Sequence, residues 1–143
     1  MNPHDLETFD DSLARCYAQP RFLERFYEIF LEASPEARAK FAGTDLAQQR
    51  RMLKASLVLM MLSTGGKAEG MVHMERIGMV HGKGGHDIPT HLYDIWLECL
   101  LKSVTEFDKE SSPELLAVWR RVLEPGIEFM KSRHDKSAGP PAH

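Results

Sequence analysis

The chain has 143 residues, 43% hydrophobic and 27% charged, with a formal net charge of −3 and a pI near 6.2. That is the size of one domain, long enough to bury a core without a disulfide or a zinc staple. The mild acidity removes the main electrostatic reason to expect nucleic acid or an anionic membrane as a partner.

Other classes fall away on local features. The longest apolar run, Leu57 to Leu62, is six residues, far too short to span a bilayer. The start, Met1-Asn2-Pro3-His4-Asp5, shows no basic stretch followed by an apolar one, so no secretory signal is expected. Cys16 and Cys99 form no Cys-x-x-Cys pair and suit a reducing, cytoplasmic setting. A flavin or nucleotide domain has no room, and no Gly-x-Gly-x-x-Gly run is there to hold a pyrophosphate.

The periodicity predicts helices throughout, because apolar residues recur at three and four and sustained alternation is missing. Leu6, Phe9, Leu13, Cys16 and Tyr17 form one stripe, after a cap at Asp5 or just before it. Gln19-Pro20 ends that helix, and a second one is predicted to start at Pro20, carrying Phe22, Leu23, Phe26, Tyr27, Phe30 and Leu31. Ser34-Pro35-Glu36 opens a short helix that ends near Phe41. A long helix runs from about Asp45 to Ser63, with Leu46, Leu53, Leu57, Met60 and Met61 on one side and glycines at its end. Another spans about Met71 to His81, before the glycine-rich stretch 82–87. A further helix is predicted from Pro89, with Leu92, Tyr93, Trp96, Leu97, Leu100, Leu101 and Val104. Ser111-Ser112-Pro113-Glu114 opens the last, in which Pro125-Gly126 should kink or loosen the backbone. The polar tail from about Asp135 to His143 is expected to be disordered, leaving residues 1–134 as one domain.

Seven histidines need sorting. His4, His134 and His143 are terminal, and His91 falls at a helix start, where a surface role is the plainer reading. His73 lies off the stripe of Ile77, and His86 is in the glycine-rich turn. His81 closes an amphipathic helix four residues after Ile77, a place where a cationic cap is the ordinary explanation. A zinc site built from His73, His81, His86 and His91 is disfavoured, since the ligands sit on different elements with no cysteine near. No Gly-x-Ser-x-Gly, Walker loop or His-Glu-x-x-His occurs, so hydrolase and NTPase chemistry has no support. Taken singly, Tyr27 reads as a core tyrosine bonded to a backbone carbonyl, Gln48 and Gln49 as a solvated first turn, and the methionines as core filler.

Together, the spacings of these residues resemble a bacterial single-domain globin, of the myoglobin-like three-over-three kind also found as the haem domain of flavohaemoglobins. The family places a tyrosine over the haem and a corner phenylalanine fourteen positions later, as Tyr27 and Phe41 stand here. Gln49 and Leu53 resemble the pair that opens the distal helix, and Ile77 and His81 the apolar residue and iron-ligating histidine of the proximal one. Ile88-Pro89 followed by Tyr93 resembles the entry to the penultimate helix. The resemblance covers residues 5 to 134. It departs at several places: Gln48 and Gln49 are adjacent, so the distal register admits Gln48 with Met52; Lys54 replaces an apolar residue; and the longer glycine segment admits His86 as the ligand instead. The last helix also lacks a tyrosine near Glu124, which argues against a peroxidase-like iron.

The resemblance implies an all-α globin fold around haem b, held without covalent attachment since no Cys-x-x-Cys-His occurs. Phe30, Phe41, Leu53, Leu57, Ile77, Trp96, Leu100 and Leu101 are available to line the slot. Neutral His81 (alternatively His86) would bind the iron, leaving the sixth position open to O2, CO or NO. Tyr27 and Gln49 (or Gln48) would then stabilise a gas ligand carrying partial negative charge. Slow release follows, pointing to oxygen storage or to NO turnover fed by an external reductase. A gas or redox sensor acting through a partner protein, and a haem-free interaction module, are the competing readings. The oligomeric state stays open.

Overall fold

A computed structural model describes residues 2–81 and 88–137; within the helices, the side chains at 69, 73, 77–81 and 133–137 lie outside the description. Seven helices occur among the described residues: α1 (Pro3–Tyr17), α2 (Phe22–Ala33), α3 (Pro35–Lys40), α4 (Leu46–Thr64), α5 (Ala68–His81), α6 (His91–Phe107) and α7 (Pro113–Ser137).

Local chemistry sets their ends. The Asn2 side chain accepts from the His4 N–H, and Pro3 occupies the first turn, so α1 starts ahead of Asp5. Ser34 caps α3 by accepting from Ala37 N–H at 3.0 Å, and Asp45 caps α4 through Gln48 N–H at 3.2 Å. Gly66, at φ +81°, reverses the chain after α4, a conformation that favours glycine.

Three expected starts shift. Pro20 belongs to a turn closed by Phe22 N–H on the Gln19 carbonyl, so α2 begins at Phe22. Proline at the second position of such a turn is favoured by its fixed φ. Thr90, not Pro89, immediately precedes α6, because Pro89 spends its carbonyl on Leu92 N–H. Helix α5 starts at Ala68 rather than Met71, and Gly70 inside it is buried against α4. At the other end, α7 continues through Pro125 to Ser137, past the expected start of the tail at Asp135.

Helix α2 packs on α6, α1 on α7, and α4 on α5, with α4 and α5 both resting on α7. Phe22, Phe26 and Phe30 of α2 share the core with Leu97, Leu100, Leu101 and Val104 of α6. Phe9 meets Trp119 with ring centroids 4.5 Å apart. A polar clasp closes the far end. Buried Asp108 accepts from Ser12 Oγ at 2.6 Å and from Arg15 Nε at 2.7 Å, while Trp119 Nε1 donates to Ser12 Oγ at 2.9 Å. Ser103 Oγ donates to the Phe22 carbonyl at 2.9 Å, fastening α6 to α2.

Candidate functional site

Tyr27 projects from the buried face of α2, with 6% of its surface exposed. Its ring lies 4.9 Å from that of Phe26 and 6.0 Å from that of Phe41, both edge-on. Phe41, at the end of α3, also meets Phe30 at 6.1 Å, and Trp96 of α6 stands edge-on to Phe26 at 6.1 Å.

The Tyr27 hydroxyl donates to the Gln49 backbone carbonyl at 3.5 Å, a long and weak bond. The partner is therefore the main chain of Gln49 and not its side chain. Burial raises the Tyr27 pKa, only partly offset by nearby Arg50, so the hydroxyl keeps its proton at neutral pH. A weakly engaged, protonated hydroxyl in an apolar surround can donate to a better acceptor.

Along α4, Gln49 and Leu53 are half-buried and Leu57 is fully buried, a stripe at helical spacing that turns inward. Gln48 and Met52 sit on the outer side, Met52 with 54% of its surface exposed. On α6, Trp96 is half-buried and Leu100 fully buried, as is its neighbour Leu101. Ile77 and His81 lie on the last turns of α5, but their side chains fall outside the described residues, and so does His86 altogether. The same holds for His73, so three of the four histidines weighed for zinc are not described there. His91 is on the surface, its Nε2 paired with Glu36 of α3. Among the described residues no cluster of three His, Cys, Asp or Glu could hold a metal ion. No helix among them is long and apolar enough to cross a membrane.

Tyr93 was passed over as a site residue. It lies buried in the first turn of α6, and its hydroxyl has no hydrogen-bond partner among the described residues. Burial pushes its pKa up to about 12, so it too stays a donor. An isolated buried hydroxyl costs about 1–3 kcal/mol. The signal available in the sequence was a polar-tipped residue on an otherwise apolar helix face.

A concavity of about 620 Å³ lies on the outer side of α2 and α6, bordered by Arg25, Glu32, Lys102 and Glu106. Arg25 is already paired with Glu106 and Glu28 there, and none of the expected site residues reaches it.

The described residues bring aromatic rings of α2, α3 and α6 together around the protonated Tyr27 hydroxyl, with the main chain of α4 at Gln49 as its acceptor. An all-α chain with this order of helices has the globin fold. The chain is similar to a protein of Pseudomonas aeruginosa PAO1 whose crystal structure is described as structurally highly homologous to a human hemoglobin. The two are 34% identical, with a TM-score of 0.87 over 91% of this chain and 98% of the other. No family model and no curated protein matches the chain. The chain belongs to the globin family, as a bacterial globin.

Proposed function

We propose that this globin binds haem b in the slot between α4 and α5 and takes up a diatomic gas on the side of Tyr27. The residues present fit that group. Phe41, Leu53 and Trp96 keep part of their apolar surface uncovered by protein, and the Tyr93 hydroxyl waits for a partner. Bound there, the haem would supply an iron with one open position for O2, CO or NO.

His81 is the residue proposed to hold the iron, with its imidazole neutral and its second ring nitrogen given to a nearby acceptor. His86 is the alternative. Phe30, Phe41, Leu53, Leu57, Ile77, Trp96, Leu100 and Leu101 would exclude water from the flat faces of the group.

The buried Tyr27 hydroxyl carries the reading. It holds its proton, makes only a 3.5 Å bond to Gln49, and is enclosed by aromatic rings. A hydrogen bond from it to a partly negative ligand in a dry pocket stabilises that ligand by roughly 1.5–3 kcal/mol. The half-buried position of Gln49, against the exposed Gln48, favours the register with Gln49 and Leu53 inward. Its amide offers both a donor and an acceptor.

Strong retention suits storage, or NO turnover supplied with electrons by a separate reductase, better than rapid oxygen delivery. The deciding measurement is an absorption spectrum of the purified protein, ferric and ferrous, with and without CO. Bands that shift with CO in the wild type and are lost in His81→Ala support the reading. Loss in His86→Ala with His81→Ala unchanged moves the ligand to His86. A protein that stays colourless on addition of hemin ends the proposal and leaves the haem-free interaction module.

A further inference from the structure

Glycines are usually read as turn residues, and Gly43 and Gly66 fit that, with φ of +78° and +81° and open space around them. Gly70 is different. It lies within α5, where glycine costs about 1 kcal/mol relative to alanine. A Cβ placed on it would lie 2.2 Å from Ser63 N, 2.4 Å from the Leu59 carbonyl oxygen and 2.8 Å from Leu62 C. All three are backbone atoms of the last turns of α4, so no rotamer change relieves the clash.

Gly126 of α7 makes the contrast. A Cβ there would meet Met60 Cε at 2.9 Å and Met74 Cε at 3.3 Å, the free ends of two flexible side chains from α4 and α5. Those ends can turn aside. Bringing the Gly70 contact from 2.2 Å to the 3.4 Å of ordinary packing requires the two helix backbones to separate by about 1 Å.

We propose that Gly70 is a positioning residue for the proximal wall of the slot: it lets α5 lie backbone on backbone against α4 and thereby sets where His81 meets the cofactor. The proposal rests on the haem reading above. Helix α5 rises about 1.5 Å per residue, so His81 stands about 16 Å beyond Gly70. Met74, packed against Gly126, lies about 6 Å beyond Gly70 and offers a fulcrum. Displacing the near end by about 1 Å then swings the His81 end by about 1–2 Å, by either translation or tilt. Metal–imidazole bonds are about 2 Å long and do not stretch that far.

The test uses the full chain reconstituted with hemin, comparing wild type, Gly70→Ala and Gly126→Ala. The readouts are the iron–imidazole stretching frequency of the ferrous form, the rate of haem transfer to excess apomyoglobin, and thermal unfolding of the apoprotein. Gly70→Ala is expected to shift the stretching frequency and to speed haem loss on the order of tenfold or more. Gly126→Ala is expected to lower the unfolding temperature while leaving the stretching frequency in place. Equal frequencies and equal haem loss in wild type and Gly70→Ala overturn the proposal. If Gly70→Ala does not fold, one glycine inserted between Gly65 and Gly66 loosens the same contact, and an unchanged frequency there overturns it equally. Failure of the wild type to take up hemin removes the haem reading and this proposal with it. Uptake with no effect at Gly70 removes this proposal alone.

Discussion

Helices α1, α2, α6 and α7 bury continuous apolar faces and are fastened to one another by polar clasps. Helix α4, at nineteen residues, puts only Leu57 and Met60 fully inside, and its apolar Leu46, Leu53 and Met61 are half-covered. Its fastenings to other helices include Tyr17 and Tyr27 hydroxyls on its own carbonyls and the Thr64 hydroxyl on the Val122 carbonyl. The contrast separates two jobs. One half is a finished core whose register is set by buried hydrogen bonds. The other half is a pair of helices meeting along backbone at Gly70, with Leu46, Leu53 and Met61 of α4 only half-covered. Breaking a clasp should therefore cost stability everywhere, and filling the slot should change α4 and α5 first.

The largest expected effect is at Asp108. Burial pushes its carboxyl up, but hydrogen bonds from Arg15, Ser12 and the Glu110 N–H and the charge of Arg15 together hold it below the ordinary 3.8. Asp108→Ala leaves Arg15, Ser12 and Trp119 without their shared acceptor and should cost about 3 kcal/mol or more in denaturant unfolding. The pH dependence follows from the depressed value. The stabilisation is complete above the unfolded pKa and disappears as the pH falls through the lower folded one. Wild type should thus lose stability from about pH 5 downward, and Asp108→Asn should show less of that acid slope. An acid slope that is the same in both would remove Asp108 from the finished half.

Hemin tests the other half. At about a hundred times its dissociation constant, a ligand that binds only the folded state adds about 2.7 kcal/mol. Amide exchange should slow most in α4 and α5, the two helices proposed to enclose the group, and least in α1 and α7. Uniform slowing along the chain would mean that the slot is as well formed as the core and that the comparison is misdrawn.

What the sequence made legible follows the same division. Helix existence and order were readable because each stripe is local: Phe22, Phe26 and Phe30 recur at four whatever they pack against. Starts slipped at Pro20, Met71 and Pro89, where a turn hydrogen bond or a neighbouring helix decides and no local pattern does. Gly70 falls just before the expected start at Met71; the α4 backbone that favours glycine there is supplied by tertiary packing. Nothing local marks Asp108, since Arg15 and Ser12 lie more than ninety residues away in sequence. At the site, Tyr27, Gln49 and Leu53 could be picked out by spacing. Tyr93 shows there only as a polar-tipped residue on an apolar helix face; that its hydroxyl is buried without a partner among the described residues is a property of three dimensions.

Tyr27→Phe sharpens the slot side of the comparison. Removing one hydroxyl with the ring retained should leave thermal stability nearly unchanged, because the bond to Gln49 is 3.5 Å long. Loss of roughly 1.5–3 kcal/mol of ligand stabilisation corresponds to about 10–150-fold faster O2 release, read by stopped-flow against CO. A stability loss of the core kind with unchanged release would return Tyr27 to the finished half.

The smallest effect is expected at an exposed clasp. Arg120 of α7 pairs bidentately with Glu98 of α6, and that hydrogen bond, outweighing a modest burial penalty, holds the glutamate pKa below its ordinary value. Both side chains are largely in water, where ion pairs are screened and long side chains lose freedom by meeting. A double-mutant cycle of Arg120→Ala and Glu98→Ala should therefore give a coupling of less than about 0.5 kcal/mol, falling further in high salt. Asp108 and Glu98 each accept two hydrogen bonds from one arginine and differ in burial. A coupling for the exposed pair that approached the cost at Asp108 would mean that the number of clasps, and not their burial, distinguishes the two halves.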